Sequence, residues 1–249
     1  MSVLPQVVTS TLALWRGSAV RVGETHQPGQ PLRLFDVEGC WHCRLVREAL
    51  TELGLDAVIQ PCPKGGERFR NQARELGGYE RFPMLVDPSQ GQVLYGSGRI
   101  RGYLWRQYGP GVVSGISSRK PLNNVRSVLA SGSRLGRGVY AKPSRRPDRL
   151  LELYSFESSP FSRRVRERLC ELELPYVLRN CGKSRAREWL FPLIRERCGI
   201  EDRPLTRNRR ELLARTGKVA LPYLVDPNLE IELYESDSIL AHLRHYYQI

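Results

Sequence analysis

The chain has 249 residues, of which 41% are hydrophobic and 26% are charged, a balance typical of a globular protein with two domains. No apolar run approaches the roughly 20 residues of a membrane-spanning helix, and the apolar start of the chain lacks the leading basic segment of a signal peptide. We therefore expect a cytoplasmic protein without a membrane partner, in which the six cysteines are catalytic, metal-binding or buried thiols.

The net charge of +13 is unevenly distributed along the chain. Residues 111–150 carry nine basic groups and one acidic group, and so supply +8 of that charge. A basic connector is more often a solvated tether than a nucleic-acid arm, and these arginines are not interleaved with aromatic residues as a stacking platform requires. We therefore expect no nucleic-acid partner.

Two segments, residues 32–108 (copy one) and 151–247 (copy two), show the same order of predicted elements. An apolar strand is followed by a helix with one apolar face, a second strand, a polar helix, a hairpin and a last helix. This order, βαβαββα, predicts the α/β class, with a mixed sheet flanked by helices. The predicted strands are residues 32–36, 57–60, 84–86 and 93–95 in copy one and residues 151–155, 176–179, 223–225 and 231–234 in copy two.

The first halves of the copies align at an offset of 119 residues and the later halves at 139, so copy two contains a 20-residue insertion. A short segment ended by glycine precedes each copy and predicts a helix, at residues 10–17 and 127–136. We place the domains at residues 1–110 and 151–249, with residues 111–150 as a basic helical connector. We expect each domain to have its own sheet.

Copy one carries Cys40-Trp41-His42-Cys43 where its first helix is predicted to begin. Unpaired backbone N–H groups and the helix dipole favour a thiolate there, and a positive charge on His42 would lower the Cys40 pKa further. Such a dithiol exchanges disulfides, with Cys40 attacking and Cys43 resolving. The alternatives are inert buried thiols or half of a zinc site, for which the other cysteines supply no second C-x-x-C pair. We expect no metal.

Copy two has Ser159 and Ser162 in place of the two cysteines. A proline precedes the third strand in both copies, after Phe82 in copy one and after Leu221 in copy two. The last helix of copy two is preceded by Glu235, where copy one has glycine. The matched pairs are Pro83 with Pro222 and Ser97 with Ser236.

The order βαβαββα, with C-x-x-C at the first helix and proline before the third strand, resembles the thioredoxin superfamily. Residues 221–227 and 235–239 are similar to the N-terminal, glutathione-binding domain of glutathione transferases. Ser159-Pro160-Phe161 resembles the active-site turn of the serine-type transferases, whereas the turn around Cys40 is closer to that of glutaredoxins. The chain ends just after the last predicted helix, so we expect no all-helical glutathione transferase C-terminal domain, which normally supplies much of the electrophile pocket.

This resemblance implies cis peptide bonds before Pro83 and Pro222, which would expose the backbone of Phe82 and Leu221 to a peptide-like ligand. It implies that the hydroxyl of Ser159 would stabilise the thiolate of bound glutathione. It also implies that Ser97 and Ser236 would bind the γ-glutamyl carboxylate, and Glu235 the neighbouring ammonium group, so copy two is the more complete glutathione site. Each of these serines is also an ordinary N-cap.

We therefore expect a glutathione-linked thiol–disulfide oxidoreductase, with a redox dithiol in copy one and a glutathione site in copy two. Glutathione would be the bound cosubstrate, and the partner would be a thiol or disulfide substrate. One alternative is a glutathione S-transferase that uses Ser159. The other is a non-enzymatic thioredoxin-fold binding protein.

Overall fold

The computed structural model describes residues 15–21, 26–110, 136–184 and 204–249, together with Arg197. Each copy follows the predicted order βαβαββα, so the predicted fold class is confirmed. Copy one consists of β1 (Leu32–Asp36), α1 (Trp41–Leu53), β2 (Ala57–Pro61), α2 (Arg70–Gly77), β3 (Met84–Asp87), a short 3-10 helix (Pro88–Gln90), β4 (Gln92–Tyr95) and α3 (Ser97–Tyr108). Copy two consists of β5 (Leu151–Ser155), α4 (Pro160–Glu171), β6 (Tyr176–Asn180), α5 (Arg207–Thr216), β7 (Tyr223–Asp226), β8 (Ile231–Tyr234) and α6 (Ser236–Tyr247). Most of the helices predicted before each copy, and most of the connector, lie outside the described residues.

The described strands form one sheet of eight, in the order β4-β3-β1-β2-β6-β5-β7-β8. The two copies meet where β2 and β6 pair antiparallel, with Val58 opposite Val177. These valines are 119 residues apart and occupy the same position in the two copies, so an approximate twofold axis passes through this pair. The expectation of a separate sheet for each domain is wrong, because the open edges of β2 and β6 satisfy each other's backbone hydrogen bonds.

The antiparallel junction turns the two copies in opposite directions. β1 runs parallel to β2, and β5 runs parallel to β6. Since β2 and β6 are antiparallel, the C-terminal ends of β1 and β5 point to opposite ends of the sheet. Cys40 follows β1 and Ser159 follows β5, so these two positions do not face each other.

One face of the sheet carries a hydrophobic core that both copies share. Side chains from β1, β2, β5 and β6, and from α1, α3, α4 and α6, belong to this one cluster. On the other face each copy has its own cluster, which includes Ala73 of α2 in copy one and Leu212 of α5 in copy two. The copies are therefore joined by a common core as well as by strand pairing.

Charged side chains are buried between the copies near the twofold axis. Arg47 donates to Glu157 Oε2 over 2.9 Å and pairs with Asp36. Arg166 lies 3.1 Å from a carboxylate oxygen of Glu157 and 3.3 Å from one of Glu38. These five side chains, which we call the axial ion cluster, are each no more than 3% exposed. At the offset of 119 residues, Glu38 corresponds to Glu157 and Arg47 to Arg166.

The described helices also bear on the membrane question: none of them combines the length and the apolar character needed to cross a bilayer.

Candidate functional site

Cys40 occupies the N-cap position of α1, in an extended backbone conformation, and is partly exposed. The helix forms because apolar residues recur on the face that packs on the shared core, and it ends at Gly54, whose left-handed conformation closes the last turn. Cys43 lies in the first turn and is 0% exposed, where its Sγ accepts a hydrogen bond from the backbone N–H of Val37 over 3.5 Å. Both thiols are free. One accessible and one buried thiol are thus held side by side.

The surroundings of the dithiol give the two thiols different pKa values. A hydrogen bond from the Cys43 thiol lowers the pKa of Cys40, whereas burial raises this pKa. The backbone N–H groups of Cys43 and His42 also lower it, and the resulting pKa of Cys40 is about 6. Burial raises the pKa of Cys43 well above its ordinary value. Near neutral pH, Cys40 is therefore the thiolate and Cys43 the protonated thiol that stabilises it.

His42 acts on Cys40 differently from the sequence expectation. Burial, and then the positive charge of Arg81, lower the pKa of His42, so the imidazole is neutral and supplies no positive charge near neutral pH. The hypothesis of a cationic His42 is wrong; the residue contributes its backbone N–H instead. Its Nδ1 lies 3.2 Å from Ser97 Oγ, which joins the dithiol turn to the start of α3.

The residues around Pro83 border the same turn. The Phe82–Pro83 peptide bond is cis, as the resemblance implied, and so is the Leu221–Pro222 bond in copy two. The Pro83 carbonyl accepts from Gly96 N–H over 3.1 Å, which ties the proline loop to the residue before α3. Ser97 is the first residue of α3 and is 8% exposed.

Copy two differs at the position that matches the attacking thiol. Ser159 is the N-cap of α4, is 3% exposed, and its hydroxyl accepts from the Ser162 N–H over 3.2 Å. That bond satisfies one of the free donors at the helix start, which is the capping role weighed from the sequence. Ser162 itself is 0% exposed.

The start of α6 in copy two is built around an arginine that sequence reasoning missed. Arg164 Nη1 donates to Ser236 Oγ over 3.2 Å, and Arg164 Nη2 donates to the exposed carboxylate of Asp237 over 2.5 Å. Glu235, just before α6, has φ of +66°, a conformation that a residue with a side chain rarely adopts. The available signal was that Arg164 replaces the apolar Leu45 of copy one at the offset of 119 residues.

Copy two holds the loop that leads to Cys40. The backbone N–H of Glu38 donates to Cys170 Sγ over 3.4 Å, and that thiol donates to the Gly138 carbonyl over 3.3 Å. The same carbonyl accepts from the Gly39 N–H over 3.1 Å. A Cβ on Gly39 would lie only 2.3 Å from the Val139 side chain, so the connector approaches the loop at a position that favours glycine. The position of the attacking thiol therefore depends on residues outside copy one.

The remaining described cysteines are structural. Cys62 and Cys181 occupy matching positions at strand ends and are 0% exposed. Burial raises the pKa of both thiols, and it raises the pKa of the Cys170 thiol as well. Cys198 lies outside the described residues. Among those described, no group of three or more His, Cys, Asp and Glu side chains is arranged to hold a metal ion.

The sequence matches the family of the glutathione S-transferase N-terminal domain twice, over residues 34–111 and 153–248, which together span more than half of the chain. The chain therefore belongs to this family and carries two of its thioredoxin-like domains in tandem. Comparisons with curated proteins and with solved structures found no match. Membership in this family indicates a glutathione-related function and indicates that glutathione is a partner.

The acidity of Cys40 predicts its alkylation profile. A thiol with a pKa of about 6 is largely thiolate at pH 7, so the rate of iodoacetamide modification of Cys40 should rise through pH 6 and level off before pH 8. Peptide mapping should find Cys40 modified before the other cysteines. The variant Cys43→Ala, which lacks the stabilising thiol, should move the midpoint toward the ordinary pKa. Equal rates for Cys40 and Cys170 at neutral pH would refute the activated thiolate.

The approximate twofold axis supplies a matched pair of variants for the loop that leads to Cys40. Cys170 accepts from Glu38 N–H in copy one's loop, and its equivalent Thr51 accepts from Glu157 N–H over 3.3 Å in copy two's loop. Because the Cys170 contacts tie the loop before Cys40 to the Gly138 carbonyl, Cys170→Ala should loosen the start of α1 and raise the Cys40 alkylation midpoint toward the ordinary pKa of a cysteine. Thr51→Ala should leave the midpoint unchanged, and Cys170→Ser, which keeps both contacts, should restore it. Equal shifts in both alanine variants would mean that the effect is only general destabilisation.

Proposed function

We propose that copy one is a glutathione-linked thiol–disulfide oxidoreductase. The observation that carries the proposal is the pairing of a partly exposed Cys40, whose pKa is lowered to about 6, with a fully buried Cys43 that donates to it. A thiolate with a neighbouring resolving thiol is the minimum that disulfide exchange requires. Membership in the glutathione S-transferase N-terminal domain family supports glutathione as the small thiol involved.

The reaction would proceed in two exchanges. The Cys40 thiolate attacks the glutathione sulfur of a mixed disulfide, forms a Cys40–glutathione disulfide and releases the substrate as a thiolate, which takes up a proton. Cys43 then loses its proton and attacks Cys40 Sγ, which releases glutathione as its thiolate and leaves a Cys40–Cys43 disulfide. The substrate has gained two electrons. Two glutathione molecules return the dithiol to its reduced form and leave as glutathione disulfide.

The glutathione that reacts at Cys40 would come from solution under this proposal. The start of α6 in copy two lies at the opposite end of the sheet from Cys40, because β2 and β6 pair antiparallel. Glutathione bound near Ser236 therefore has no direct path to Cys40, and a glutathione site in copy two would act independently of the dithiol.

The transferase alternative has less support. It needs the Ser159 hydroxyl to face the sulfur of bound glutathione, but Ser159 is 3% exposed and its hydroxyl accepts the Ser162 N–H. Conjugation also needs a pocket that orients an electrophile against that sulfur. We therefore expect disulfide reduction to exceed conjugation.

Both activities can be measured on the wild type and two variants. Reduction of the mixed disulfide of glutathione and mercaptoethanol should fall to background in Cys40→Ser and stay at the wild-type rate in Ser159→Ala. Conjugation of a generic aromatic electrophile should be weak in all three proteins. Strong conjugation that is lost only in Ser159→Ala, without disulfide reduction in any protein, would instead make this a transferase. A wild type with neither activity would support the non-enzymatic binding protein.

A second proposed function is glutathione binding by copy two at the start of α6. Arg164 supplies a guanidinium and Ser236 a hydroxyl at this place. The guanidinium is paired with the exposed carboxylate of Asp237, which a ligand carboxylate would displace. The left-handed backbone of Glu235 costs on the order of 1–3 kcal/mol, and strain of that kind concentrates at ligand sites.

Titration calorimetry tests this second site. Ser236→Ala removes a hydrogen bond to a charged group and should weaken glutathione binding by about 1.5–3 kcal/mol. Ser97→Ala, the equivalent change in copy one, is the control and should leave the affinity unchanged. Binding that is insensitive to Ser236→Ala but lost in Ser97→Ala would move the site to copy one.

A further inference from the structure

A groove of about 590 Å³ lies between the C-terminal end of α2 and the end of β4 in copy one. Its walls are Arg74, Gly78, Tyr79, Glu80, Arg81 and Tyr95. None of these residues takes part in the disulfide exchange described above, so the groove is a separate surface on the copy that carries the dithiol.

The groove adjoins the dithiol turn through two short connections. Residues 78–81 lead directly into Phe82 and the cis Pro83, and the charge of Arg81 acts on His42. Tyr95 is two residues before Ser97, whose Oγ lies 3.2 Å from His42 Nδ1. A molecule seated in the groove would therefore lie beside the entrance to Cys40.

The walls combine an exposed and a half-buried aromatic ring with an excess of positive charge. Tyr79 is 69% exposed, and its ring meets that of Tyr95 edge to face, with centroids 6.0 Å apart. The walls contain two arginines, Arg74 and the exposed Arg81, and one carboxylate, Glu80, which also pairs with the neighbouring Arg70. Tyrosine and arginine are the residues that concentrate at protein-binding surfaces, since both offer large contact areas together with polar groups.

The equivalent surface of copy two carries different side chains. At the offset of 139 residues, Lys218 replaces Tyr79, and its ammonium lies 4.6 Å from the centre of the Tyr234 ring, the equivalent of Tyr95. The Tyr234 hydroxyl lies 2.5 Å from Thr216 Oγ1. Val219, which is 4% exposed, replaces Glu80. In the described residues, the pair of tyrosines and the carboxylate of Glu80 at this place are thus features of the copy that carries the dithiol.

We propose that this groove binds an acidic peptide segment next to the disulfide-bonded cysteine of a protein substrate. The excess of arginine selects for carboxylates, and the two tyrosines offer an aromatic surface for the side chain between them. The groove is open and lined by long side chains, as suits an extended peptide. The proposal deepens the oxidoreductase function and rests on it for the chemistry, but the binding of the peptide does not depend on catalysis.

Two measurements separate the groove from the reaction. The first is fluorescence anisotropy of a labelled acidic hexapeptide that contains tyrosine but no cysteine, with a peptide in which lysine replaces each acid as the comparison. The second is reduction of the glutathione mixed disulfides of cysteine-containing versions of both peptides and of mercaptoethanol. Each is made on the wild type, on Arg74→Gln/Arg81→Gln, on Tyr79→Ser, and on Lys218→Gln, the matched control in copy two.

The acidic peptide should bind the wild type at least about fivefold more tightly than the basic one, in a salt-dependent manner, since each exposed charge pair contributes up to about 1 kcal/mol. The arginine double variant should lose this preference, Tyr79→Ser should weaken binding severalfold, and Lys218→Gln should change nothing. In the reduction assay, the double variant should remove the difference in KM between the acidic and the basic substrate, and any effect of Arg81 on His42 should change the rates with all three substrates alike.

Equal binding of both peptides, or an acidic preference that survives the arginine double variant, would overturn the groove proposal. Binding of the acidic peptide without any disulfide reduction would leave the peptide site standing and refute the oxidoreductase function. Reduction of the mercaptoethanol disulfide with no preference between peptides would refute the peptide site and leave the oxidoreductase function standing.

Discussion

The axial ion cluster is the constraint on which the tandem depends. Moving charged groups out of water costs several kcal/mol per ion, so Arg47 and Arg166 remain buried only because carboxylates from both copies surround them. Burial acts to raise the pKa of Glu157, but Arg166 and Arg47 outweigh it and hold the pKa below its ordinary range. Separating the copies would leave unpaired charges and the exposed edges of β2 and β6. We therefore expect the two repeats to fold as one unit.

The same cluster connects the fold to the chemistry. Glu38 lies two residues before Cys40, and its carboxylate pairs with Arg166 of copy two while its carbonyl accepts from Arg47. Copy two thus takes part in positioning the Cys40 thiol. Its own residue at that position, Ser159, caps a helix. Each copy thus holds the loop of the other, through Cys170 of copy two and Thr51 of copy one, but only the loop of copy one leads to a dithiol.

The sequence predicted much of the fold, because strands, helices and turns depend on local periodicity and on proline and glycine. The order of elements and the place of Cys40 at a helix start followed from it, and the family resemblance implied the cis bond before Pro83. The pairing of β2 with β6 did not, because edge pairing leaves no local pattern. Nor did the axial ion cluster, because arginines such as Arg47 are normally solvated. The available signal was that Glu38 and Arg47 recur as acid and arginine at the offset of 119 residues.

In the proposed exchange Cys40 is the attacking thiol and Cys43 the resolving thiol, whereas Cys62, Cys170 and Cys181 are structural. The most direct test exposes the Cys43→Ser variant, which cannot resolve a mixed disulfide, to glutathione disulfide at pH 7 and maps the product by peptide mass spectrometry. We expect a glutathionyl group on Cys40, with Cys62, Cys170 and Cys181 unmodified. Modification at any of these three in the folded protein, or an unmodified Cys40, would contradict it.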